Sequence, residues 1–403
     1  MTNKIYASQQ HLSTDTGVRR TVVYRLPDGE QGTIWWEVSG AAQILPGAPL
    51  NDDLALTSLL FLAMHRGLAL HIEGRVSRSM LERAELFMKI WSLWRPDIYR
   101  RVEVSANIEL PDRLPDINRD RLAICAFSGG VDASCTAFMH QKKMAGRASR
   151  KILAGVLIQG FDIGLGEQKA FDISVHSARL MLDDLGIPLL TMRTNWKDDA
   201  CQTWGMEFGL GVFCCLKLWE DSVGSLLVGS CEDYSRLVTP WGSHPLPTTL
   251  LAANGISLVY DGGELNRTQK VALLSQWPAG YDNLRVCWQG DITGENCGIC
   301  EKCLRTKLNA IVSGKPLPAS LPGQPTPRQV ARIGPMNTAQ KALFSEILME
   351  AEANGFKGPL IKAAKQALAR RKPPVNARLK SILFRLGRRI GRRSKLIPNF
   401  KGS

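Results

Sequence analysis

Apolar residues along this chain follow two periods, and the switches between them outline its elements. Period-two runs at 21–26 (Thr-Val-Val-Tyr-Arg-Leu) and 33–38 (Thr-Ile-Trp-Trp-Glu-Val) flank Pro27-Asp28-Gly29-Glu30, which predicts a β-hairpin. Residues 54–65 and 80–94 read as helices, and 68–72 and 102–108 as strands. Together these suggest a small N-terminal α+β domain over 1–112. Trp35, Trp36, Trp91 and Trp94 read as its core, and His65 and His71 as structural histidines.

From 113 to 313 the pattern alternates. Strands are expected at 121–127, 151–158, 188–193 and 224–229, with helices at 132–145, 168–186 and 206–220. Alternation of this kind predicts an α/β fold with a doubly wound parallel sheet. Ligands bind beyond the carboxyl ends of such strands. That places the 128–134 loop, Phe161-Asp162, Thr194-Asn195 and Ser230-Cys231-Glu232-Asp233 on one rim. Five prolines between Lys315 and Arg328 mark a linker, taken as 314–336. The remainder, 337–403, reads as a helical, basic C-terminal extension, with helices at 338–353 and 358–371 before Pro373-Pro374.

Ser128-Gly129-Gly130-Val131-Asp132-Ala133-Ser134 carries the first chemistry. An apolar strand runs into it and a helix leaves it. Two glycines let the backbone approach an anion, and the free N–H groups of the first helical turn face it. Ser128 and Ser134 add hydroxyls. Neither a GxxxxGK[ST] loop nor a GxGxxG turn after a strand is present.

Cys287, Cys297, Cys300 and Cys303 carry the second, four of ten cysteines within seventeen residues. Two linked CxxC steps let three thiolates converge, and Cys287 supplies a fourth. Four thiolates suit a closed tetrahedral zinc site, with an iron–sulfur cluster as the rival.

The glycine loop resembles the SGGxDS signature of the PP-loop ATP pyrophosphatase superfamily, with Ala133 in place of the usual Ser. A Cys about nine residues before CGxCxxC is similar to the zinc site of the 7-cyano-7-deazaguanine synthase (QueC) family. Gly229-Ser-Cys-Glu232-Asp233-Tyr234-Ser235 and Leu265-Asn266-Arg267 resemble two further segments of that family, in the same order. The likeness spans about 121–312. Trp204-Gly205-Met206-Glu207 and the stretch after Ser235 depart from it, which implies a different acceptor.

The resemblance implies an adenine nucleotide α-hydrolase-like fold and a reaction with Mg–ATP. A carboxylate or carbonyl oxygen attacks the α-phosphorus, pyrophosphate leaves, and a nitrogen nucleophile displaces AMP. In this reading Ser128, Gly129, Gly130, Val131, Asp132 and Ser134 bind ATP. Asp132 holds metal or caps the helix start, and Arg267 and Lys270 offset charge on the departing pyrophosphate. Glu232 and Asp233 bind substrate, a carboxylate or modified-base-like small molecule, or move protons. Two alternatives stay open. One is a sulfur transferase of the same fold acting on tRNA or a small molecule through Cys231. The other is a non-catalytic nucleotide-binding module anchored by its basic C-terminal tail.

Charge changes the picture only at the end of the chain. The net charge is +14, yet fifteen Lys and Arg and no acidic residue follow Glu352, leaving −1 for 1–352. A body-wide nucleic-acid surface is therefore not expected. Leu379, Ile382, Leu383, Leu386 and Ile390 recur at helical spacing among Arg378, Lys380, Arg385, Arg388, Arg389, Arg392 and Arg393. This amphipathic stretch suits an anionic membrane surface, nucleic acid, or a partner protein that includes a second copy of the chain. No apolar run reaches the ~20 residues of a spanning helix. The opening residues lack a signal-peptide core, and unpaired thiols fit a reducing cytosol, so a cytoplasmic location is expected, with peripheral membrane association through the basic stretch as one option.

Overall fold

A computed structural model describes residues 3–114, 116–287 and 292–370. The chain falls into two compact units, Met1–Gly323 and a second that begins at Gln324. The division lies inside the expected proline-rich linker.

The strands of the first unit are β1 (Lys4–Thr14), β2 (Gly17–Arg25), β3 (Gln31–Ser39), β4 (Ala69–Ser77), β5 (Val104–Leu110), β6 (Leu122–Ala126), β7 (Lys151–Gln159), β8 (Leu189–Thr194), β9 (Ser225–Gly229) and β10 (Ser257–Asp261). Its helices are α1 (Asp53–Arg66), α2 (Arg78–Trp94), α3 (Ile117–Asp120), α4 (Val131–Gln141), α5 (Gln168–Asp184), α6 (Trp196–Asp199), α7 (Trp204–Lys217), α8 (Pro245–Leu250), α9 (Arg267–Leu274), α10 (Pro278–Tyr281) and α11 (Glu301–Val312).

All ten strands form one α/β sheet in the order β10-β9-β6-β7-β8-β3-β2-β1-β4-β5. Six of its nine neighbour pairs are parallel, and β1–β2, β2–β3 and β3–β8 are antiparallel. The hairpin expected around 27–30 is present: Leu26 N–H donates to Glu30 O, and Gly29 N–H to Leu26 O.

Residues 1–112, expected to form a domain of their own, share this sheet with the strands of 113–313. The physical reason is the edge of β3. Its main-chain groups pair with β8 from Trp36–Thr194 to Ser39–Thr191, so the hairpin leaves no open ladder between the two halves. A buried charge network fastens the join. Asp53 of α1 accepts from the Ser77 N–H and hydroxyl (2.8 and 2.7 Å), and Lys217 of α7 pairs with both Asp53 and Glu220.

Alternation along β6 separates two cores. Ile124 packs with Trp36, Phe61, Trp91 and Phe213, whereas Ala123 and Cys125 pack with Phe138, Met181, Leu274 and Trp277. The sheet is therefore covered by α1, α2 and α7 on one face and by α4, α5 and α9 on the other. Trp36 and Trp91 are core, as expected; Trp35 and Trp94 are half-buried. Among β6–β10 the first strand lies in the middle: β7 and β8 follow on one side, β9 and β10 on the other. The chain thus changes direction at β6, and parallel pairing sets the carboxyl ends of these five strands along one rim.

The second unit contains α12 (Pro327–Ala331), α13 (Thr338–Ala353) and α14 (Pro359–Ala369). Reciprocal caps, Thr326 with Gln329 and Asn337 with Gln340, start the first two. Ala363, Ala364 and Ala367 make the buried stripe of α14. The basic amphipathic stretch and Pro373-Pro374 lie outside the described residues. No helix among the described residues is long and apolar enough to cross a membrane.

Candidate active site and metal centre

The loop after β6 sits where the strand order reverses. Phe127 N–H still donates to Val156 O (2.9 Å), and then the chain turns. Gly129 has φ +72°, a conformation in which a side chain is strained. Gly130 is the N-cap of α4, and no side chain caps this helix. The first-turn N–H groups therefore lack a side-chain acceptor at the positive end of the helix dipole. Ser128 Oγ accepts the Gly130 N–H at 3.3 Å. The Val131 side chain is buried in the core, so only its main chain can meet a ligand. Ser134 and Thr136 are buried with hydroxyl oxygens that have no hydrogen-bond partner among the described residues.

Asp132 neither caps α4 nor stands alone. Arg267 Nη2 lies 2.8 Å from its Oδ2 and Lys270 Nζ 3.5 Å from its Oδ1. An Asn266–Gln269 capping box fixes the start of α9 and so places both cations on α4. Lys270 is buried and also donates to Ser230 O (2.7 Å), while Arg267 donates to Cys231 O (3.3 Å). These two cations are committed to protein partners. Both oxygens of the Asp132 carboxylate face these cations, and Oδ1 accepts no hydrogen bond among the described residues.

Glu232 is buried on the same rim. Tyr260 Oη accepts the Glu232 N–H at 3.0 Å and donates toward Glu232 O and Oε2 (3.0 and 3.1 Å). Asp233 is occupied differently. Its Oδ1 accepts from the Ser235 N–H (2.9 Å) and hydroxyl, which shapes the turn. Asn195 is likewise structural, bonding Trp35 N and Thr33 O across the β3–β8 join. Cys231 is half-buried, and its thiol is pushed up to about 12 by burial and by the Glu232 and Asp132 charges.

Burial also pushes Glu232 up, from 4.5 to about 7, against the pull of the Tyr260 hydrogen bond and the Arg267 charge. The folded protein then keeps a proton that the unfolded chain sheds above about 4.5. Stability contributed by this group is present at low pH and falls as pH rises from 4.5 to 7. The effect is on the order of 3 kcal/mol. Glu232→Gln is expected to flatten that part of the melting-temperature curve. Identical slopes for wild type and variant would mean the carboxylate ionises normally.

The metal centre is built by two arms. Sγ atoms of Cys287, Cys297, Cys300 and Cys303 all lie within 4.8 Å of one another, with Cys287 and Cys300 3.8 Å apart. A tetrahedral zinc–thiolate site has sulfur–sulfur edges of about 3.8 Å, so the set fits zinc. The Cys300 N–H donates to Cys297 Sγ (3.3 Å), the bond that orients a knuckle sulfur. Asn296 ties the arms together: its Oδ1 accepts from Val286 and Cys287 N–H, and its Nδ2 donates to Leu284 O and Ser320 O. Buried Lys307 donates to Gly298 O and Pro322 O beside the cluster, a cation that favours thiolates. Hydrogen bonding between the sulfurs lowers Cys300 and raises Cys303, so one thiolate is already favoured. These four residues can hold a metal ion such as zinc.

Three features went unread in the sequence. Tyr260 lies on β10, a strand too short and polar-ended to announce itself. His140 Nε2 meets Asp261 Oδ1 at 3.1 Å in the interior, while His140 Nδ1 accepts the Arg150 N–H. Arg285, two residues before Cys287, joins its N–H to Gly129 O at 2.8 Å.

No protein-family model matches this chain, and no curated protein matches it either. The resemblance noted above rests on its motifs.

Proposed function

We propose that this chain is an ATP-dependent ligase that adenylates a carboxylate and then forms a C–N bond, releasing pyrophosphate and AMP. One observation carries the reading. An uncapped helix start after a positive-φ glycine meets Asp132, Arg267, Lys270 and Glu232 where the strand order reverses. Main-chain amides at a helix start suit phosphate, and the switch point of a parallel sheet is where ligands bind. The order β10-β9-β6-β7-β8 with helices on both faces supports a doubly wound, adenine nucleotide α-hydrolase-like arrangement.

In this reading the first-turn amides of α4 hold the phosphate chain. The substrate oxygen bonds to the α-phosphorus as the bond to the bridging oxygen breaks, and pyrophosphate leaves. A nitrogen nucleophile, ammonia in the resembling family, then bonds to the acyl carbon as AMP leaves. Glu232, poised near neutrality by burial, accepts the proton that the nitrogen sheds. The Asp132–Arg267–Lys270 bridge holds α4 against the 230–232 turn and so fixes the distance between phosphate and base. The cysteine centre is structural. Sulfur transfer fits less well, because a Cys231 thiol pushed up to about 12 stays protonated at neutral pH.

The test is product analysis. The protein with Mg–ATP, ammonium and a panel of carboxylates is expected to give AMP and pyrophosphate in equal amounts. ADP and phosphate would sink the reading. Binding of ATP with no turnover on any acceptor would favour a nucleotide-binding module.

A further inference from the structure

Arg267 and Lys270, the cations expected to face pyrophosphate, are engaged with Asp132 and with the carbonyls of Cys231 and Ser230. A different cation borders the glycine loop. The Arg285 N–H donates to Gly129 O at 2.8 Å, and a Cβ built on Gly129 would lie 3.7 Å from Arg285 Cβ. The side chain thus leaves the backbone alongside the turn. Its Nε is buried without a hydrogen-bond partner, and the guanidinium has no ion pair among the described residues. Asp162, an acid near it on the same rim, stands 4.0 Å from Lys302 instead. Arg285 is half-buried, so the fork reaches the surface beside the loop while its Nε is shut away without a partner, a cost that an anion meeting the fork would offset. Its planar fork matches phosphate oxygens.

Resting on the ligase reading, we infer that Arg285 is the phosphate-binding cation of this site. It approaches the phosphate chain from the flank of the glycine turn opposite the Asp132 bridge. The same residue opens the arm that carries Cys287, so the metal centre positions it. Its place two residues before a metal ligand makes it look structural in sequence.

The experiment compares wild type with Arg285→Met and Arg285→Lys. Methionine keeps much of the aliphatic stem and removes the charge. Binding of Mg–α,β-methylene-ATP, which cannot be split at the proposed bond, is measured by calorimetry, and melting is followed with and without it. The methionine variant is expected to bind roughly 10- to 100-fold more weakly, the range for a lost charge-assisted hydrogen bond. Lysine is expected to recover part of that loss. The free methionine variant is expected to melt no lower than wild type, because an unpaired charge has gone, yet to lose most of the nucleotide-induced rise. A merely structural arginine gives the opposite pattern, with a lower melting point and unchanged nucleotide affinity, and that result overturns the inference while leaving the ligase reading intact. If wild type itself fails to bind the analogue, both fall.

Discussion

Stripping the metal from Cys287, Cys297, Cys300 and Cys303 is expected to abolish cooperative unfolding of the first unit. Cys287 and Cys303 belong to the same buried core as Leu284, Val286, Leu274 and Trp277. Without an ion, the four sulfurs, all within 4.8 Å of one another, lose their common tie, and Asn296 is left as a link between the arm at 284–287 and the 296–303 knuckle. Structural zinc contributes about 10–16 kcal/mol in small zinc domains. A whole domain has only about 5–15 kcal/mol to lose. Elemental analysis is expected to find one zinc per chain. Cys303→Ser, or a strong chelator, is expected to release it, broaden the melt and expose apolar surface. Strong visible absorbance with iron in place of zinc would assign an iron–sulfur cluster. A metal-free protein that melts like the wild type would remove the centre from the stability of the fold altogether.

Local geometry that is contiguous in the chain was legible. The 128–134 loop and the 287–303 cysteines each lie within one short stretch, and the glycines and thiols there have few other uses. Arg267 and Lys270 were singled out through the likeness of Leu265-Asn266-Arg267 to a family segment, and α9, the helix that carries them, was not read. Their commitment to Asp132 was not read either, because the carboxylate comes from a helix far back in the chain. The same limit hid the architecture. β1 carries Gln9, Gln10 and His11 beyond its buried Ile5 and Ala7, so its apolar alternation is too short to be read. Nothing in the pattern at 33–38 says that β3 pairs with β8, since an edge is closed by whatever ladder meets it. The separate N-terminal domain was an inference from sequence order, and one hydrogen-bonded seam replaced it. Asp233 shows a further limit: both neighbours are buried, yet the Asp233 carboxylate closes a turn while the Glu232 carboxylate meets Tyr260.

The largest catalytic effect is expected from a residue that touches no substrate. Gly229 ends β9 and lies against the first turn of α4. A Cβ there would come 2.6 Å from both the carbonyl carbon and oxygen of Asp132 and 2.9 Å from Ala133 N. All three are main-chain atoms, so no side chain can swing away. Either the strand end or the helix start must move. The helix start is the proposed phosphate cradle, and the strand end leads into Ser230, Cys231 and Glu232, so either movement changes the distance between phosphate and base. A displacement near 1 Å can reduce a rate by about 100-fold. Gly229→Ala is therefore expected to lower AMP and pyrophosphate formation by about two orders of magnitude, and stability by about 1–3 kcal/mol from overpacking. Zinc content should be unaffected, because none of the atoms that the Cβ meets belongs to a cysteine arm. Gly166→Ala is the control, since a Cβ there meets nothing within 4 Å. It follows β7 on the same rim and should leave the rate unchanged. If Gly229→Ala turns over as fast as Gly166→Ala, the β9–α4 contact does not set the geometry of the reaction, and the cradle must be sought away from the start of α4.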